Sequence, residues 1–301
     1  MTANCGSARS LALTTDGRTN LPKYQRVLVY TVLVLLCIPP LLPLLWMIST
    51  SLKDDTQIYT TSGTSTTAFS ITSLIPSPVH WSNYPQSLQS MPFFVYLRNT
   101  LMLCFLTVIG SVASSAVVAY GFGRIQFKYS GFWFAVMLAT MALPGQVTMI
   151  PIFSMFRSLG WYGTYLPLVV PAFFGAPFFI FLLTQFYKTL PTEFAESAKV
   201  DGANEWTIFV RLILPLSRPA LATCALFAFL GAWNDFFGPL LYISDPSKYT
   251  LAYGLEQFVS NHYTNWEQLM AASVMFTIPI VVLFFFAQKT FIQGIATTGG
   301  K

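Results

Sequence analysis

Few residues in this 301-residue chain have the types and spacing that chemistry needs. Gly294 and Gly299 have the spacing of a phosphate-binding loop, in which backbone amides cradle phosphates and a lysine reaches them. Gly300 stands where that lysine is required, so this segment cannot bind ATP by that route. His80 and His262 have no companion at ligand spacing, which favours a surface or structural role over a metal site. Cys5, Cys37, Cys104 and Cys224 form neither a metal-ligand pair nor a disulfide framework. No Ser/His/Asp or Cys/His set can be assembled, so catalysis is not where the residues point. Two acidic features remain. One is the group Glu193, Glu196 and Asp201 within a basic stretch; the other is Asp235, alone in an otherwise uncharged run. Their chemistry is ion pairing and hydrogen bonding.

The elements that must position these groups are set by hydropathy. Hydrophobic residues make up 54% of the chain and charged residues 9%, where an ordinary soluble domain carries roughly 25% charged residues. No Asp, Glu, Lys or Arg occurs in 27–52, 99–123, 129–156, 158–187 or 268–288, and Asp235 alone interrupts 219–242. Each run exceeds the roughly 20 residues a helix needs to cross a hydrocarbon core. Lipid offers the backbone no partners, so six transmembrane helices follow; barrel strands would alternate apolar and polar residues. The fold class is therefore all-α and polytopic.

Basic residues orient it. Arg9, Arg18, Lys23, Arg26, Arg124, Lys128, Lys188, Lys199, Arg211, Arg218, Lys289 and Lys301 fall on one side, against Lys53, Arg98, Arg157 and Lys248 on the other. The positive-inside rule then puts both termini in the cytoplasm. The net charge of +5 is this asymmetry, with no nucleic-acid partner implied. The first apolar run is longer than the 7–15 residues or so of a signal peptide, which favours a retained helix, although small residues at 48–50 leave cleavage open.

Along the chain we expect a cytoplasmic tail at 1–26, a first helix at 27–49 and an external loop at 50–94. A five-helix core at 95–290 carries a cytoplasmic loop at 188–218, and a short tail occupies 291–301. The long external loop includes the Ser/Thr run 60–67, then Trp81 and Tyr84, which suit a membrane interface. Pro144, Pro151, Pro167, Pro171 and Pro177 interrupt the third and fourth spans. They either break helices at a substrate site or shape packing.

The loop at 188–218 reads as helix–turn–helix. Pro191 and Thr192 open it, with Thr192 as N-cap and Glu193 in the first turn. Ala195, Ala198 and Gly202 form a small-residue face, and Gly202 after Asp201 stops the helix. Trp206, Phe209, Val210 and Ile213 follow as one stripe, suited to a helix on the membrane surface. On composition alone this is either a stiff lever or a solvated loop.

The order Glu196-Ser197-Ala198, Asp201-Gly202-Ala203, Phe209, Leu214-Pro215 and Pro219 resembles the EAA motif of binding-protein-dependent ABC importer permeases. Pro191, Trp233-Asn234-Asp235, Ile278-Pro279, Gln288 and Gly294 agree, as do Ser49-Thr50-Ser51-Leu52-Lys53 and Asn99-Thr100. Together they are similar to the carbohydrate-uptake class, specifically the maltose-type second permease subunit, from about Leu41 to Gly294. Ser197 departs from the usual alanine, and Thr297-Thr298-Gly299-Gly300-Lys301 departs from the usual tail, which puts a tail contact with the ATPase in doubt.

The resemblance implies a type I ABC importer permease fold in a bacterial inner membrane. It implies a non-catalytic subunit driven by alternating access, with ATP and Mg bound by a partner ATPase dimer and none here. A second homologous permease subunit and an external solute-binding protein complete the set. Glu193, Glu196, Ala198, Asp201, Gly202, Ala203 and Phe209 would couple to the ATPase. Trp233, Asn234 and Asp235 are pathway candidates, although Asp235 equally suits a cap on a break near Pro239. Sugars, oligosaccharides, polyols or glycerol phosphate fit the class. The rival is an ion-driven secondary transporter, which usually needs ionisable groups in the membrane; five of the six runs have none.

Overall fold

The computed structural model describes residues 23–58, 74–259 and 264–296. The tail before residue 23, the Ser/Thr run at 60–67, His262 and residues 297–301 lie outside the described residues. Among those described, the regular structure is helical apart from one isolated bridge between Val259 and Thr264. It divides into two compact units, Met1–Trp46 and Met47–Lys301. The first unit holds most of α1 (Lys23–Ser51), which continues through Pro39, Pro40 and Pro43 and is apolar on every side, as a lipid-embedded helix must be.

The second unit contains α2 (Asn83–Ser90), α3 (Phe93–Arg124), α4 (Ser130–Thr140), α5 (Gly145–Ser158), α6 (Leu166–Val169) and α7 (Pro177–Thr189). After them come α8 (Glu193–Val200), α9 (Glu205–Leu216), α10 (Arg218–Trp233), α11 (Phe237–Tyr242), α12 (Leu251–Gly254) and α13 (Trp266–Ala296). Among the described residues, four stretches are long and apolar enough to cross a membrane: Tyr24–Ser51, Phe93–Arg124, Leu166–Thr189 and Trp266–Gln288. Two bent pairs, α4 with α5 at 93° and α9 with α10 at 78°, raise the number to six if each pair is one span.

The bends have local causes. α4 stops at the turn before Pro144, which lacks a backbone donor and begins the next helix in extended conformation. The Leu166–Thr189 stretch is interrupted by a 3-10 turn, Val170–Phe174, before Pro177 restarts the helix as α7. α10 ends at Trp233, and the Asp235 carboxylate accepts from the Gly238 amide (2.9 Å) to start α11. A Cβ on Gly238 would press on that carboxylate and on Leu168 (2.8 Å), so those two side chains would have to shift to admit any other residue.

α3 is the central helix, packing along α7 and α10, while α10 also packs on α13. Its Arg124 half shares a core with α7, α9 and α10: Ala116, Tyr120, Leu183, Tyr187, Phe209, Ile213 and Cys224 are buried together. Its other half shares a second core with Trp233, Leu251, Phe258 and Ala272. Polar side chains clamp that half. Asn99 Nδ2 donates to the Ser247 and Tyr249 carbonyls (2.9 and 3.0 Å), and Thr100 Oγ1 accepts from the Leu251 amide (2.9 Å). Asn83 Nδ2 likewise donates to the Ser51 and Lys53 carbonyls (3.0 and 2.8 Å), and Ser51 Oγ pairs with Tyr84 Oη (2.9 Å). Buried carbonyls left open cost free energy, so these side chains complete the loops that regular ladders do not reach.

Candidate functional site

The site is the segment between α7 and α10. α8 is eight residues long, with Glu193 and Glu196 towards its start and Lys199 in its last turn, signs that complement the helix dipole. It ends in a Schellman motif: the Ala203 amide donates to the Ala198 carbonyl (2.9 Å) and the Gly202 amide to that of Lys199 (3.0 Å). Gly202 has φ +83°, a left-handed conformation that side chains with a Cβ resist.

Thr192 holds the N-cap position the sequence suggests, its carbonyl accepting from the Glu196 amide at 3.0 Å, but it does not cap with its side chain. Its own backbone is helical (φ −75°, ψ −27°) and its side chain makes no capping bond; an N-cap needs extended geometry to turn its oxygen back. Asn204 does cap α9, accepting from the Thr207 amide at 2.8 Å with extended ψ 165°. An Asn followed by an acidic residue, Asn204-Glu205, is the signal that could have marked it.

The small-residue face of α8 turns inward. Ala195, Ala198 and Ala203 pack against the core shared by α3, α7 and α9; side chains this short let α8 lie close to its neighbours. The outward surface carries Phe194 (51% exposed) and Val200 (89%), flanked by exposed Glu193, Glu196 and Asp201. Phe194 and Val200 were not singled out from sequence, because two apolar residues six apart do not make a helical stripe.

α9 also departs from expectation. Phe209–Ile213 is a π-helical turn, so Trp206, Phe209, Val210 and Ile213 do not share one face. Ile208, Phe209 and Ile213 are buried in the core, whereas Trp206 and Val210 are exposed. The Phe209 ring packs on Tyr120 (centroids 5.0 Å) and Trp206 (5.5 Å). Phe209 is thus an anchor of the segment rather than part of its outer surface.

Polar contacts hold both ends of the segment to α3. Arg124 Nη2 donates to the Leu190 carbonyl (2.6 Å). Tyr120 Oη donates to Glu205 Oε2 (2.6 Å), while Lys199 Nζ pairs with Glu205 Oε1 (2.6 Å). The Lys199 ammonium first and the Tyr120 hydroxyl second hold the Glu205 carboxyl below the usual carboxylate range. A half-open cavity of about 680 Å³ lies alongside α8 and the Arg124 end of α3, with Arg124, Gln126, Thr192, Lys199 and Glu205 in its wall and the exposed Glu196 lining it too.

The second group of candidates sits elsewhere. Trp233 is fully buried, between Phe229 and Phe276 (both 5.4 Å), which makes it packing between α10 and α13. Asn234 is exposed and donates to the Leu230 carbonyl (2.8 Å). Asp235 accepts from the Gly238 amide across the break before α11. Among the described residues no group of three or more His, Cys, Asp or Glu side chains is arranged to hold a metal.

The model of binding-protein-dependent transport system inner membrane components matches residues 12–297. A probable ABC transporter permease protein of Bacillus subtilis, YurM, is 33% identical over 260 residues, covering 86% of this chain and 83% of the relative. The arabinooligosaccharides transport system permease protein AraQ of Halalkalibacterium halodurans is 32% identical over 209 residues, 69% of this chain and 75% of its own. The sn-glycerol-3-phosphate transport system permease protein UgpE of Yersinia enterocolitica is 30% identical over 250 residues, 80% and 85%. In structure, the chain is similar to one from a bacterial ABC transporter involved in the import of the acidic polysaccharide alginate (TM-score 0.74, 23% identity, 91% of this chain and 99% of that one). That likeness speaks to the fold.

Proposed function

This chain belongs to the family of binding-protein-dependent transport system inner membrane components, and from that premise we propose that α8 is the surface through which a separate ATPase drives it as an ABC importer permease. The observation that carries this reading is the outward face of α8: Phe194 and Val200 exposed near three carboxylates, on a helix flanked by two residues bonded to α3, Leu190 before it and Glu205 after it. Exposed apolar side chains ringed by polar ones mark a protein contact. Glu193, Glu196 and Asp201 are its charged rim, Gly202 and Ala203 fix where it stops, and Ala198 and Phe209 seat it. The permease itself hydrolyses nothing; ATP and Mg are bound by the ATPase dimer. A second, homologous permease subunit stands beside it, and a solute-binding protein delivers cargo from outside. Alternating access then follows from displacement of the lever.

The cargo is a carbohydrate, from simple sugars to oligosaccharides, or a related polyol derivative. The arabinooligosaccharide and glycerol-3-phosphate systems of its relatives support that class. The protein lies in the bacterial inner membrane with its termini and α8 in the cytoplasm, a reading supported by the clustering of Lys and Arg in that loop and at the chain ends.

The test is co-expression with a candidate ATPase, second permease and binding protein. Cysteines at Phe194 and Val200 should each crosslink to the ATPase, and uptake should require it. Absence of an ATPase from the purified complex, or labelling of those cysteines by an impermeant reagent from outside, would refute the proposal.

A further inference from the structure

A push on α8 has two covalent routes into the bundle, back through α7 and forward through α9 into α10. Side chains supply a third. Glu205, in the first turn of α9, uses both carboxylate oxygens: Oε1 faces the Lys199 ammonium at the end of α8, and Oε2 accepts from Tyr120 of α3, each at 2.6 Å. One carboxylate therefore joins three helices. The Tyr120 ring is buried and packs on Phe209, so the same tyrosine grips α9 by its face and its hydroxyl. One turn further on, Arg124 holds the Leu190 carbonyl just before α8 begins. α3 thus holds the lever on both sides.

The electrostatics say which of these contacts matters. An exposed ion pair between Lys199 and Glu205, each about half exposed, contributes little alone. A hydrogen bond from a buried phenol to an ionised carboxylate is stronger and directional. The helix it reaches is the long central one, whose far half is clamped through Asn99 and Thr100 to the segment around Ser247–Leu251. Movement of α3 would therefore be felt at both ends of the bundle.

We propose that Glu205 is a positioning residue that ties α8 and α9 to Tyr120, making α3 the helix that receives the lever's displacement. This rests on α8 being the ATPase contact. Tyr120→Phe removes one hydroxyl and keeps the ring on Phe209; Glu205→Gln keeps size and removes charge.

The experiment uses the whole importer in proteoliposomes, with ATP hydrolysis, solute uptake and thermal midpoint measured on the same preparations. For both variants, ATPase co-purification and hydrolysis stay at the wild-type level and the thermal midpoint falls by no more than one lost hydrogen bond explains, while solute moved per ATP falls by about tenfold for loss of one charge-assisted bond. The double variant is no worse than either single one, as two ends of one interaction require. Unchanged solute per ATP in both variants overturns the proposal. So does loss of ATPase binding in Tyr120→Phe, which would place the tyrosine in docking. A wild-type complex without any ATPase instead rejects the reading of α8 itself, so the two failures are told apart.

Discussion

Replacing Gly202 with Ala tests the proposed lever with the least disturbance. Its φ of +83° is a conformation that costs an L-residue roughly 1–2 kcal/mol. A Cβ placed there would meet nothing within 4 Å, so no steric clash adds to that figure. The strain falls on the two bonds that close the Schellman motif, Ala203 to Ala198 and Gly202 to Lys199. At about 1.4 kcal/mol per factor of ten, local opening of this turn should rise by about 5- to 30-fold. Hydrogen exchange on the protein in nanodiscs reads this as faster exchange of the Gly202 and Ala203 amides, with amides of the α3 core unchanged. Gly202→Asn should recover most of the protection, because asparagine tolerates the left-handed region better than alanine does. Equal protection in the wild type and both variants would show that the turn is not held in this geometry, and the account of α8 as a fixed lever would fall with it.

Other perturbations read other parts of the molecule. Gly238→Ala forces a Cβ against the Asp235 carboxylate and Leu168, and the repacking should cost about 1–3 kcal/mol, seen as a lower thermal midpoint. Tyr187→Phe should be neutral or stabilising by about 1 kcal/mol, since the fully buried hydroxyl finds no hydrogen-bond partner; a marked loss would reveal a partner acting on it. Asp55 and Glu267 are neighbouring acidic side chains, each with a buried oxygen that finds no hydrogen-bond partner. Asp55→Asn supplies a donor beside Glu267 and should raise the midpoint at pH 7.5 by the equivalent of about 1 kcal/mol; a lower midpoint would contradict that reading.

Hydropathy located the spans, because lipid forces every apolar run of sufficient length into a helix. It could not show that the third run bends by 93° or that the fifth ends at Trp233, since these depend on single prolines and on one carboxylate finding an amide. The helix stop at Gly202 was legible from Asp201-Gly202 alone, because it is a local backbone property. The direction in which Ala195, Ala198 and Phe209 face was not. Small residues pack equally well against a partner or against their own bundle, and the 3.6-residue period used to place Phe209 fails inside a π turn. Glu205 escaped notice for a different reason: its importance comes from Tyr120, which lies far away in sequence and meets it only in the folded chain.

That π turn absorbs a residue without passing a rotation to what precedes it. Phe209–Ile213 accommodates one residue beyond what a regular α-helix would within a single wide coil. Deleting one residue there would restore the usual pitch and leave α8 close to its present bearing, whereas the same deletion from a regular turn of α9 would swing everything upstream by about 100°. Phe194 and Val200 would keep their outlook in the first case and lose it in the second.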